Sequence, residues 1–451
     1  MKLFDVLIAF VALSLLLLLA TALRQRLPLL RRSGLPEALV AGLLGLAIGP
    51  FSPLRLFPES VYTVWSQTPG VLINVVFASL FLGQSLPSRR VVWQRAASQT
   101  AFGMVLGFGQ YLVGGLVVLV VLRPLLGTDP LMACLIEVGF EGGHGTAAGM
   151  GTAFSRLGLA SGEALGLAMA TIGVVAGVLV GSALVVIGRR RQWLLTAAPE
   201  RREEAADPAE TATPVSSSPT IDALTLNLAL IGGAIGLGVL LRQALVSLAG
   251  ALGGQESAQL FSALPLFPLA MVGGLLVQRL LQWQDQPRLA SVRAQHSIGS
   301  LAMDVLIAAA MASLNLPLVE QAWLPLLVLA LAGLAWNVSM FLWLGPRLFR
   351  DAWFERAIAD FGQSTGITAT GLLLLRMADP YGRSPALEAF SFKQLVYEPF
   401  LGGGLVTAFA PIALVALGLP LWTLLALGLT AASLLFGARM ARQRPEGAAA
   451  P

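Results

Sequence analysis

The chain alternates apolar runs of membrane-crossing length with short loops that carry arginine, and this pattern confines it to a helical membrane fold. Runs able to cross about 30 Å of hydrocarbon lie at 3–23, 35–52, 65–86, 98–122 and 161–187 in the first half of the sequence. In the second half they lie at 222–242, 258–280, 296–314, 321–345 and 394–417, with a last run at 420–437. Only 12% of the 451 residues are charged and 56% are hydrophobic, whereas soluble domains carry about 25% charged residues. A soluble enzyme, a nucleic-acid binder and a disordered chain are thereby excluded. The single cysteine, Cys134, allows neither a disulfide framework nor a thiolate metal site.

Residues 131–155 and 353–378 are apolar but rich in Gly, Thr and other polar residues, so they do not read as ordinary spans. The loop charges fix their geometry, because cytoplasmic loops accumulate Arg and Lys. Arg24, Arg26, Arg31 and Arg32 follow the first run, which places that loop inside and the N-terminus outside. Arg89, Arg90 and Arg95 then fall inside, as do the arginines at 189–191, 201 and 202. Segment 131–155 must therefore leave and return on one side, as a re-entrant hairpin. The same sorting makes 353–378 a hairpin entering from the cytoplasmic side. Of the 29 basic residues, 24 fall inside and only Lys2, Arg55, Arg123, Arg156 and Arg242 fall outside. The first run resembles a signal peptide in its Lys2 and Ala20-Thr21-Ala22. The offsetting Asp5, the four following arginines and a counterpart run in the second half favour a retained span.

Residues 188–220 form the one long polar stretch, rich in Pro, Ala, Thr and Ser after Glu200-Arg201-Arg202-Glu203-Glu204, and read as a flexible cytoplasmic linker. On either side the halves match. Leu35-Pro36 and Gly70 correspond to Leu264-Pro265 and Gly299 at an offset of 229, and Ser161 and Leu165 to Ser391 and Leu395 at 230. His144–Gly149 sits against Gly366–Gly371. The fold expected is an all-α polytopic membrane protein built as an inverted-topology repeat of five spans plus one re-entrant hairpin each. Its units are 1–187, the linker 188–220, 221–417, and an extra C-terminal span and tail over 418–451. Secondary transporters place their substrate at interrupted helices between such repeats.

The first hairpin carries Glu141-Gly142-Gly143-His144-Gly145-Thr146-Ala147-Ala148-Gly149. Glycines permit a sharp turn and close approach of a ligand, and a helix starting after the turn aims unpaired N–H groups at a carboxylate. Small-residue helix packing is the plainer explanation, but an intramembrane histidine favours a ligand site. The second hairpin concentrates Gln363, Ser364, Thr365, Gly366, Thr368 and Thr370, oxygens suited to a hard cation or to orienting an anion. Some hydroxyls will simply bond back to helix carbonyls. Asn74 and Asp304 occupy nearly equivalent depths in the two halves and, with Glu141 and Gln363, are candidate sodium ligands; Asp304 could equally bond to a neighbouring helix. Glu137, Gln110, Asn337, Gln394 and Glu398 are weaker candidates. Arg376 either pairs with a substrate carboxylate or snorkels to the surface.

Gly362-Gln363-Ser364-Thr365-Gly366 matches a hydrolase nucleophile elbow, which keeps an intramembrane serine hydrolase as a remote alternative. The elbow needs an α/β sheet that this chain cannot form, and the two histidines, His144 and His296, supply no zinc-protease motif. A channel also accommodates hairpins, but dissimilar ligand groups on the two hairpins fit one occluded site better.

Gly142-Gly143-His144-Gly145-Thr146-Ala147-Ala148, with Leu35-Pro36-Glu37 and Ala170-Thr171-Ile172-Gly173, resembles the signature of the sodium/glutamate symporter family. The resemblance implies sodium-coupled uptake of L-glutamate across the inner membrane, no organic cofactor, and a homodimer whose hairpin-bearing core moves as an elevator. It carries Gly142 to Thr146 into a substrate and sodium site. The second hairpin lacks the family's fuller glycine run, so another carboxylate such as a dicarboxylate, coupled to sodium or protons, is the alternative substrate.

Overall fold

A computed structural model describes residues 3–28, 30, 35–84, 89–195 and 221–442, and among them the regular structure is helical. In chain order the helices are α1 (Leu3–Arg26), α2 (Glu37–Ala47), α3 (Glu59–Ser79) and α4 (Arg89–Val117), the last running on through a π turn to Leu126. Then come α5 (Leu135–Phe140), α6 (Gly143–Arg156), α7 (Gly162–Arg190), α8 (Ile221–Ser262), α9 (Phe267–Trp283) and α10 (Val292–Ala312). The chain ends with α11 (Trp323–Trp343), α12 (Trp353–Ala378), α13 (Ala386–Tyr397), α14 (Leu405–Leu417) and α15 (Leu419–Arg442). Local chemistry sets many of the ends. Gly127, at φ 64°, closes α4 in the left-handed conformation, and Ser291 caps α10 by accepting from the Ala294 N–H at 3.3 Å.

Among the described residues six helices are long and apolar enough to cross a membrane: Leu3–Arg26, Ala96–Leu126, Gly162–Arg190, Leu224–Ser262, Trp323–Leu348 and Leu419–Arg442. Several expected spans take another form. The run at 35–52 yields an 11-residue helix, about 16 Å long at 1.5 Å per residue, because Gly49 and Pro50 end it. The run at 65–86 is shifted to 59–79, starting behind Pro58. The run at 394–417 is two helices rather than one. The chain unwinds over 398–404, where Gly402 and Gly403 take φ of 71° and 105°.

The two Gly/Thr-rich segments fold back on themselves. In α12 the helix breaks at Gly366 (φ −153°) and Ile367 (φ 69°). A Cβ placed on Gly362 would lie 2.7 Å from Gly371 Cα, and one on Gly371 only 2.4 Å from the Ala359 carbonyl oxygen. Residues nine apart touch only if the two arms pack side by side, with the missing side chains permitting backbone contact. Positive φ at a β-branched residue such as Ile367 is strained. In the other segment the turn over 141–143 is made by Gly143 at φ 71°, and the arms on either side, at Val138 and Ala147, both lie against Gly166 of α7. The tips meet: a Cβ on Gly143 would stand 2.4 Å from Ile367 Cγ2.

Packing groups the helices into two bodies. In one, α10 packs on α2 and α3, α9 on α3 and α8, and α1 on α2. In the other, α4 packs on α11, α13 and α15, while both hairpins pack on α7. Each body draws on both halves of the sequence. Along their seam Ile73 and Met303 press on Gly145, and Ile73 and Phe267 on Gly149.

Candidate functional site

Where the hairpin tips meet the seam, a cavity of about 250 Å³ opens. The first hairpin supplies Glu141, Gly142, His144, Gly145 and Thr146, and the second supplies Ile367, Thr368 and Ala369. The unwound stretch adds Glu398 and Gly402, and the other body closes the space with apolar side chains from α3 and α10, among them Phe77 and Met303. Non-helical backbone inside a membrane fold is tolerated where it lines such a cavity, and here three interrupted segments do so. A second recess of about 300 Å³ lies on the same seam at the opposite end of α3, lined by Glu59, Ser66, Glu163 and Asn315.

Behind the cavity the polar groups form a dense buried network. The Tyr397 hydroxyl donates to Glu141 Oε1 at 2.7 Å, and the Ser364 hydroxyl donates to the same oxygen at 3.2 Å. Glu141 Oε2 is sealed off without a partner. Glu137, one turn back, is fully served. It accepts from the Tyr111 hydroxyl at 2.5 Å, the Thr407 hydroxyl at 2.7 Å and the Gly402 N–H at 2.9 Å, and so pins the unwound stretch to the first hairpin. Asn337 Nδ2 donates to the Ser364 carbonyl oxygen at 2.8 Å and to Thr365 Oγ1 at 3.0 Å, replacing partners that the helix break removes. The Ser364 carbonyl oxygen also accepts from Gln110. His144 Nε2 lies 3.0 Å from the Thr171 hydroxyl of α7.

The second hairpin is anchored by an ion pair. Lys393 Nζ is 3.2 Å from Asp360 Oδ1, with both side chains fully buried. It donates to Gln363 Oε1 at 2.6 Å and stands 3.8 Å over the Tyr397 ring. Gln99 donates to Asp360 Oδ2 at 2.9 Å. Lys393 is thus an interior residue of α13, not one of the cytoplasmic loop charges with which the charge pattern grouped it. The sequence signal was present, since it is one of only two lysines among 29 basic residues and lies within a run, Phe390 to Val396, that is mostly apolar.

Of the expected site residues, Glu141, Gly142, His144, Gly145, Thr146 and Thr368 line the cavity together. Gly143 and Gly366 shape the two tips. Gln363, Ser364, Thr365 and Thr370 are buried inside the second hairpin, where Gln363 holds Lys393 and the Thr370 hydroxyl bonds back to the Gly366 carbonyl oxygen. The structure does not bring Asn74, Asp304 or Arg376 into the cavity. Asn74 donates to the carbonyls of Gly70 and Val71 at 2.8 and 3.1 Å. Asp304 and Arg376 are exposed on their helices, Arg376 roughly two turns beyond Thr368. Ser364, the serine of the elbow-like motif, bonds to Glu141 and not to His144.

The family model described as sodium/glutamate symporter matches residues 2–344. The chain belongs to the sodium/glutamate symporter family. It is accordingly a multi-pass membrane transporter and not an enzyme, and its family ties it to cation-coupled transport. No curated protein sequence matches it. A solved structure, the sodium proton antiporter MjNhaP1 from Methanocaldococcus jannaschii at pH 8, aligns over 94% of this chain and 99% of that one at 18% identity, with a TM-score of 0.37.

Proposed function

We propose that this symporter-family chain carries a small carboxylate, L-glutamate above all, together with sodium across the inner membrane. The observation supporting this most directly is the meeting of two hairpin tips in one cavity. The arms starting at Gly143 and Thr368 aim their first N–H groups at the tips, where a helix start favours an anion. The cavity lining contains Glu141, Glu398 and His144 but neither lysine nor arginine. An anion therefore enters favourably only with cations, which is a physical basis for obligatory symport. Sodium, as cargo, finds hard oxygen donors around the cavity in the hydroxyls of Thr146 and Thr368.

Each body combines elements of both halves, as an inverted repeat of 1–187 and 221–417 requires, with 418–451 added at the end and 188–220 linking the halves; residues 196–220 of that linker lie outside the described ones. The hairpins are taken to be re-entrant from opposite membrane faces, with the N-terminus outside and the C-terminus cytoplasmic. The hairpin-bearing body slides as an elevator along the seam of Gly145 and Gly149, in a homodimer. The two recesses at opposite ends of α3 suit access from alternate sides. Titration calorimetry on the purified protein tests the coupling: L-glutamate binds in sodium chloride and not in potassium chloride. Equal binding in both salts would remove sodium from the account.

A further inference from the structure

The cavity has a cationic as well as an anionic requirement, and Glu398 is placed to meet it. Glu398 follows the end of α13 at the start of the unwound stretch and lines the cavity. Its Oε1 is held by the Thr368 hydroxyl at 3.3 Å and by Gln394 Nε2 at 3.0 Å, while Gln394 also donates to Thr368 Oγ1 at 2.9 Å. The carboxylate is therefore fixed to the tip of the second hairpin. Among the described residues no hydrogen bond reaches its Oε2, which, unlike Glu141 Oε2, is not a sealed atom. Glu141 Oε1 is occupied by Tyr397 and Ser364, and its Oε2 faces the backbone of Gly107, where an added Cβ would stand 2.9 Å away. Of the two acids in the cavity, Glu398 alone offers an oriented, open oxygen. The same cavity is lined by Thr146 and the N-terminal turn of α6, which suit a carboxylate.

We propose that Glu398 receives the α-ammonium group of the substrate and so selects α-amino dicarboxylates over dicarboxylates without that group. The inference rests on the symporter reading and deepens it. An ammonium pairs with a carboxylate through a charge-assisted hydrogen bond. A dicarboxylate without the ammonium meets an unpaired negative charge there, which acts against it. The sodium needed for binding is common to both ligands, so the two respond differently only to the ammonium contact.

The test compares L-glutamate with glutarate, its analogue without the amino group, by calorimetry on the full chain in sodium chloride. In the unmodified protein glutarate binds at least about tenfold more weakly than glutamate. In Glu398→Gln glutamate affinity falls roughly ten- to a hundred-fold, the worth of a hydrogen bond to a charged group, while glutarate binds as well as before or better. Glu398→Asp, which keeps the charge but withdraws it by one methylene, shows the same selective loss in smaller measure. An equal loss for both ligands in either variant would overturn the inference in favour of a sodium-binding or purely structural role, and unchanged glutamate affinity would overturn it outright. If the unmodified protein bound neither ligand in sodium, the symporter reading itself would fail.

Discussion

Replacing Lys393 by methionine removes one half of a fully buried ion pair while nearly conserving volume. The ammonium has three neighbours that hold it: Asp360 Oδ1 at 3.2 Å, Gln363 Oε1 at 2.6 Å and the Tyr397 ring at 3.8 Å. Without it, Asp360 keeps only the Gln99 bond at 2.9 Å, and its charge has no access to water. Stranding one member of a buried pair costs about 3–5 kcal/mol, whereas replacing both members by groups of similar size is often neutral or stabilising. Lys393→Met is therefore expected to lose about 3–5 kcal/mol, and Asp360→Asn with Lys393→Met to recover most of it. Melting in detergent, followed by size-exclusion chromatography of the surviving fraction, reads both. A Lys393→Met protein that melts with the unmodified one would refute the reasoning, and so would a double variant no better than the single.

Three further outcomes are expected. Gly143→Ala forces alanine into φ 71° and against Ile367 Cγ2, costing about 1–2 kcal/mol in backbone alone. Its glutamate uptake should fall out of proportion to its melting shift, and parallel losses would deny the tips a role in transport. Arg376→Ala should leave glutamate affinity within about twofold, because the side chain is exposed and outside the cavity lining; a tenfold loss would return it to the site. In a Cys134→Ser background, Ala205→Cys should react with a membrane-impermeant maleimide only after cell lysis, and labelling of intact cells would reverse the proposed orientation.

The long apolar runs and the two polar interruptions could be read from the sequence because each depends on local composition. A Gly-rich, Thr-rich segment between apolar runs can neither form a plain span nor a soluble loop, so Gly142–Thr146 and Ser364–Thr370 stood out. What escaped depended on distance. The unwinding at 398–404 hides inside an apolar run, where Gly402, Gly403 and Gly404 look like packing glycines. Its meaning appears only when Gly402 is seen donating to Glu137. Lys393 reads as a loop charge until Asp360, 33 positions away, is found beside it. Asn74 and Asp304 illustrate the converse error. Depth along a helix is legible from sequence, but the side it presents to its neighbours is not, and neither residue turns into the cavity. Glu398, by contrast, was visible only as one of several isolated polar residues, since nothing local marks it as the acid with an open oxygen.

The central claim, that this chain couples carboxylate entry to sodium, is tested most directly by uptake of labelled L-glutamate into proteoliposomes under an inward sodium gradient. The account predicts accumulation above the external concentration that collapses when the gradient is dissipated. Accumulation that persisted with potassium in place of sodium on both sides would contradict it.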